Sequence, residues 1–187
     1  MMMGVISSQN NTIHGGGASG EALPYIANFD SNPSGVWSFE CNHKDLEGDP
    51  FTPPTGEGVW EYKTTNLAGG TSGEISMHYT NAHISDDSYC RCYSPAINAT
   101  GKSSLTVNYR RKLSIYSSGG YSFRVLSSTD AINWVVEDTL IVTVAASAAA
   151  VSATINSNLG GDVYIAFEIY GDMYYMDTVQ FDNVNIS

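Results

Sequence analysis

Basic charge is what this chain has least of. Its 187 residues carry eight Lys and Arg against 19 Asp and Glu, a formal charge of −11. No Lys or Arg follows Arg124, whereas Asp130, Glu137, Asp138, Asp162, Glu168, Asp172, Asp177 and Asp182 all do. Such a surface repels phosphate, so no nucleic-acid partner is expected, and it suits a cation better. Charge of either sign is sparse, 14% of the residues where about 25% is usual. Long apolar runs are missing too: the best candidate, TLIVTVAASAAAV, is short and broken by Thr and Ser, so no helical span and no membrane insertion are expected. Catalytic signatures are likewise absent, with no G-x-S-x-G elbow, no H-E-x-x-H and no Gly-rich phosphate loop. His14, His43, His78 and His83 form no constellation, and the adjacent carboxylates Asp86 and Asp87 point apart on an extended chain rather than sharing a pocket. An enzyme is not expected.

The start of the chain also lacks something. Met1 to Ile6 is apolar for only a few residues before SSQNNT, too short for the h-region of a secretory leader. Two expectations remain open: a leader removed from a longer protein, or exit by another route, such as assembly into a particle released by lysis. Residues 1–24, with GGGASG among them, read as a Gly/Ser/Asn-rich arm that is flexible unless docked. Docking on neighbouring protein subunits would make the chain a homo-oligomer or part of a larger assembly.

What is present is period two. LTVNYRRKLSIY places Leu105, Val107, Tyr109, Leu113 and Ile115 on one face; YSFRVLSS alternates Tyr121, Phe123 and Val125 with Ser122 and Arg124; DVYIAFEIYG sends Val163, Ile165, Phe167 and Ile169 one way. These are half-buried strands. Between them SSGG, STDAIN, NSNLGGD and YGD supply turn chemistry at fairly regular spacing, the pattern of an all-β sandwich or barrel in one domain over residues 25–187. AASAAAVSATI is ambiguous because Ala favours helix, but its Val, Thr and Ser favour a strand. GDPFTPPTGEG is a surface loop, since consecutive prolines cannot sit in a central strand.

The motifs IANFDSNPSGVW, CYSPAINATGKSSLTVNYRR, YSFRVLSSTDAINWVV, LGGDVYIAFEIYGD and FDNVNI, in that order and spacing, resemble the MAM-like jelly-roll modules of the cleaved-adhesin and choice-of-anchor J type. The likeness runs from Tyr25 to Ser187, with Phe29, Asp30, Pro33 and Trp37 at the opening positions, Ser94 to Ile97 in the middle, and Ala131 where a Gly is usual. It implies an antiparallel jelly-roll β-sandwich, extracellular and non-catalytic, used for adhesion or for binding glycan or protein, often with a structural calcium ion. It also implies that Trp37 and Trp134 pack inside.

Calcium has a physical side as well. Hard cations take several carboxylate and carbonyl oxygens, which Asp30 near the first strand and Asp182 in the last could supply if those strands are neighbours. The apolar phase of TVQFDNVNI shifts between Val179/Phe181 and Val184/Ile186, the mark of a bulge at Asp182–Asn183. The three cysteines leave alternatives open: Cys41 and His43 with Cys90 and Cys92 as a zinc site, a Cys41 disulfide plus one free thiol, or three reduced thiols. Among the aromatics, Trp60 beside the proline-rich loop reads as a surface platform, and Tyr174 and Tyr175 read as strand neighbours facing opposite ways, one exposed. The chain is therefore expected to be a contact module, in the first place an exterior decoration or fibre component of a particle such as a phage virion, with a secreted or cell-surface carbohydrate-binding adhesin domain cut from a larger protein as the alternative.

Overall fold

The computed structural model describes residues 20–117 and 119–187. Among the described residues twelve strands follow in chain order: β1 (Tyr25–Ala27), β2 (Ser38–Asn42), β3 (Trp60–Lys63), β4 (Glu74–His78), β5 (Tyr89–Tyr93), β6 (Ile97–Asn98), β7 (Leu105–Ile115), β8 (Tyr121–Ser128), β9 (Val135–Val142), β10 (Ala146–Ile155), β11 (Asp162–Tyr170) and β12 (Met176–Ile186), with a 3-10 turn at Met173–Tyr175. They form two sheets. One runs β10-β7-β12-β4-β3, with β1 also on β12; the other runs β2-β5-β11-β8-β9, with β6 also on β11. The strand pairs are antiparallel. Successive long strands such as β7 and β8, or β11 and β12, lie in opposite sheets, the crossing pattern of a jelly roll.

Period two explains what fills the space between the sheets. Val163, Ile165, Phe167 and Ile169 of β11, Leu105, Val107, Tyr109 and Leu113 of β7, and Tyr121, Phe123 and Val125 of β8 are all buried. Each such side chain contributes about 1.5–3 kcal/mol over its exposed state. At the centre Phe29, Trp37, Trp60, Phe167 and Phe181 interlock, with Phe167 and Phe181 rings 4.4 Å apart and Phe29 edge-on to Trp37 at 5.2 Å. The Trp37 indole donates to the Tyr25 hydroxyl at 3.0 Å, which satisfies its polar atom. The alanine-rich segment is strand β10: it pairs with β7 from Ala146↔Leu113 to Ile155↔Leu105, so backbone pairing overrides the helical preference of Ala.

Three aromatic expectations are corrected here. Trp60 is not a surface residue; it is 4% exposed. The irregular loop stops just before it, and as the first residue of β3 it pairs with Met77, pointing inward edge-on to Phe181 at 5.3 Å with its indole N–H donating to the Cys90 carbonyl. Trp134 is not core; it is half-buried and lies against the Tyr93 ring and the Arg91 guanidinium, Arg91 being on an outward position of β5. Tyr174 and Tyr175 do not alternate along a strand, because Asp172 caps a 3-10 turn that contains both.

The proline-containing loop lies between β2 and β3 and is mostly exposed, as expected. So is the bulge: the β12–β7 register slips between Asp182 and Asn185, and Asn183 takes φ 51°. Of residues 1–24, the last five are described, and they lie on the sandwich. Gly20 N–H donates to Asp162 at 2.9 Å, Glu21 bridges Ile97, and Leu23 packs on the core. Residues 1–19, and with them the docking on neighbouring subunits, lie outside the described residues.

Candidate ligand-binding and cation sites

One end of the sandwich gathers side chains from three connections. The turn after β11 begins with Gly171 and Asp172, and the Asp172 carboxylate is buried. It accepts the backbone N–H of Tyr174 at 3.0 Å and of Ile84 at 3.1 Å, and His83 Nδ1–H donates to it at 2.6 Å. Three donors thus pin the β4–β5 connection to the β11–β12 turn. His83 is held by one ring nitrogen, and its side chain is 44% exposed. Tyr174 lies against it with ring centroids 3.9 Å apart, and Tyr175 stands edge-on at 5.4 Å. Tyr116, just past β7 and 61% exposed, meets Tyr174 edge-on at 5.7 Å and stacks on Tyr79. Beside this group is a cleft of about 440 Å³ lined by Leu46, His83, Ile84, Ser85, Asp86, Asp172 and Tyr175. Rings and hydrogen-bonding groups on one concave surface suit a ligand with apolar faces and polar edges. Of these residues the sequence pointed to Tyr174 and Tyr175. It missed His83, Asp172, Tyr116 and Tyr79, which no local spacing could join, since His83 and Asp172 stand 89 positions apart.

A second cluster lies at the β12 bulge. Asp182 is fully buried, and burial pushes its pKa up to about 7; the carboxylates of Glu74 and Asp30 add to the rise, and the Asn183 N–H, donating at 2.6 Å, opposes it. Glu74 is also fully buried, accepting from the Ala68 N–H at 2.8 Å and from the Thr65 hydroxyl. Among the described residues neither carboxylate is in an ion pair. Asp30 is exposed beside them, and Thr71 donates to the Asn28 carbonyl at 3.3 Å. The connecting loop comes close because it is glycine there: a Cβ on Gly70 (φ 122°) would stand 2.6 Å from Asp182 Oδ2, and one on Gly73 (φ 106°) 2.1 Å from the Phe29 carbonyl oxygen. The donor set is carboxylates, carbonyls and a hydroxyl with excess negative charge, which fits a hard cation of the calcium kind. Of the two residues expected from the sequence, Asp182 is buried here, and Asp30 is exposed but near enough for its charge to raise the Asp182 pKa.

The outward face of the β2-β5-β11-β8-β9 sheet carries a charge row instead. Glu40, Arg91, Glu168 and Arg124 stand in register across β2, β5, β11 and β8. Arg91 donates to Glu168 and Glu40, and Arg124 lies 3.5 Å from Glu168. The Arg91 guanidinium is covered by the rings of Tyr89 and Trp134, and that of Arg124 by Tyr170. Burial raises the Glu168 pKa, and the two guanidinium groups oppose the rise. With its cations already committed to glutamates, this face reads as structural.

Cys41 and Cys90 are direct partners in the β2–β5 ladder, with Cα atoms 4.0 Å apart, and are joined as a disulfide. Cys92 is a buried free thiol whose pKa is raised by desolvation.

No family model matches the chain, and no curated protein matches it in sequence. Solved structures match it in fold. The K1 cleaved adhesin domain of Lys-gingipain from Porphyromonas gingivalis W83 matches with TM-score 0.61 at 13% identity, over 87% of this chain and 96% of that one. The K3 cleaved adhesin domain of the same protein matches with TM-score 0.56 at 17% identity, over 87% and 96%. TmCBM61, solved in complex with β-1,4-galactotriose, matches with TM-score 0.50 at 9% identity, over 86% and 97%. In fold, the chain is similar to cleaved adhesin domains. The jelly-roll sandwich expected from the motifs is therefore the observed one. Of the positions quoted from the sequence, Phe29 and Trp37 lie in the core and Ala131 takes φ 56° in the β8–β9 turn, whereas Trp134 stands outside the core.

Proposed function

We propose that this domain is a non-catalytic binding module, secreted or displayed at a cell surface, that holds a carbohydrate chain in the end cleft. The observation that carries the proposal is the convergence of Tyr116, Tyr174, Tyr175 and His83 beside Ser85 and Asp86. Tyrosine rings match the apolar face of a pyranose, while the hydroxyl and carboxylate take its hydroxyl groups. The fold supports this, since its neighbours include adhesin domains and a module that binds a galactotriose. The disulfide suits an oxidising compartment. A structural calcium ion at Asp182, with Asp30 and the carbonyl oxygens of the adjoining loop, belongs to the same proposal. The virion-decoration reading expected first from the sequence rests on the arm, of which residues 1–19 lie outside the described residues, whereas the adhesin reading rests on side chains of the sandwich itself.

A glycan array probed with the labelled domain tests the proposal. At least one carbohydrate class should be retained, and Tyr174→Ala should lose that signal while keeping its circular dichroism spectrum. Retention that is indifferent to Tyr174 and Tyr116 would move the site elsewhere. Release of shortened sugar from the retained class would overturn the non-catalytic part.

A further inference from the structure

Cys41, His43 and Cys90 form a cluster that carbohydrate binding does not use. Cys41 and Cys90 face each other across β2 and β5, and His43 follows Cys41 by two residues, so their ligand atoms all lie within 4.8 Å of one another. His43 is 6% exposed, and neither ring nitrogen has a hydrogen-bond partner. Such a group normally finds one, because an unsatisfied buried polar atom costs about 1–3 kcal/mol. The ring is also packed in place: a Cβ on Gly58 would touch its Cε1 at 3.4 Å. Two sulfurs and an imidazole are the ligand set of a thiophilic divalent ion, whose tetrahedral donors stand less than about 4 Å apart.

We propose that, when the disulfide is reduced, Cys41, Cys90 and His43 bind one zinc-class ion, with the fourth coordination position open on the exposed Cys41 side. Metal and disulfide are then alternative occupants of one site. A dithiol reductant supplies two electrons and two protons, the S–S bond breaks to two thiols, and the reductant closes to its own disulfide. The divalent ion then displaces both thiol protons to solvent as two metal–sulfur bonds form. Cys92 stands outside the cluster.

The test uses the full chain, reduced with a phosphine, desalted under nitrogen and titrated with Co²⁺ near neutral pH. Thiolate-to-cobalt charge-transfer absorbance should saturate at one ion per chain and disappear on adding one equivalent of Zn²⁺, and the oxidised chain should show none. His43→Ala should weaken cobalt binding by roughly tenfold or more, and Cys92→Ser should leave it unchanged. The proposal is overturned if the reduced chain gives no such absorbance, if Cys92→Ser removes it, or if circular dichroism shows that the chain binding cobalt is unfolded.

Discussion

Asp182 is a side chain whose ionisation the fold changes strongly. Its pKa in the folded chain is raised, so the fold favours the protonated form. The stability this contributes is complete below the unfolded value of about 3.9 and is lost as pH rises through about 7. In EDTA the melting midpoint is therefore expected to fall across that window, and Asp182→Asn should flatten the fall. Calcium would take the proton's place: at a hundredfold excess over Kd it should add about 2.7 kcal/mol at neutral pH. Equal midpoints in EDTA and calcium would remove the ion from the account. Trp60 is the opposite kind of residue, with no titration and no exposure. Trp60→Ala should cost about 3–5 kcal/mol in urea denaturation, whereas a surface tryptophan would cost almost nothing. Its neighbourhood in sequence misled because Pro50, Pro53 and Pro54 mark a loop but not where that loop ends. The pairing with Met77 decides that, and β4 is not in the local sequence.

At the scale of the strand, period two made most of the architecture legible. The inward sets of β7, β8 and β11 are those read from alternation, and the phase slip in TVQFDNVNI is the observed bulge. Alternation assigns a side chain to a face but does not say what covers that face. Arg91 and Glu168 occupy outward positions, yet they are 7% and 2% exposed, because Trp134 and Tyr89 cover Arg91 and the neighbouring strands supply its partners. Only the side-by-side order of β2, β5, β11 and β8 creates that row, and no segment of sequence contains it. Removing one member leaves a buried charge uncompensated, so Arg91→Met should lower stability by about 3 kcal/mol or more in a denaturant titration. A loss near zero would mean that Arg124 alone satisfies Glu168. Carbohydrate binding should be unaffected in the folded fraction, since the row lies on a sheet face and the cleft at the sandwich end.

For the whole molecule, the crossing connections of the jelly roll matter more than any strand. They bring the β4–β5 connection, the end of β7 and the β11–β12 turn to one end, and the cleft is made there from residues that the chain keeps far apart. Hence Tyr174 and Tyr175 were legible in the sequence, whereas the His83–Asp172 contact and Tyr116 beside the cleft were not. The same topology places β1 beside β12, which brings the Asp30 charge near Asp182. On the carbohydrate-binding proposal, the aromatic cluster beside the cleft holds a sugar and the domain does no chemistry on it. Titration calorimetry of the carbohydrate selected on the array, against wild type and the Tyr116→Ala/Tyr174→Ala double variant, tests this most directly. An aromatic anchor commonly contributes 2 kcal/mol or more, so the double variant should bind at least about thirtyfold more weakly, with an unchanged melting midpoint and intact sugar recovered from both cells. Equal affinity in the two proteins, or sugar recovered cleaved, would contradict it.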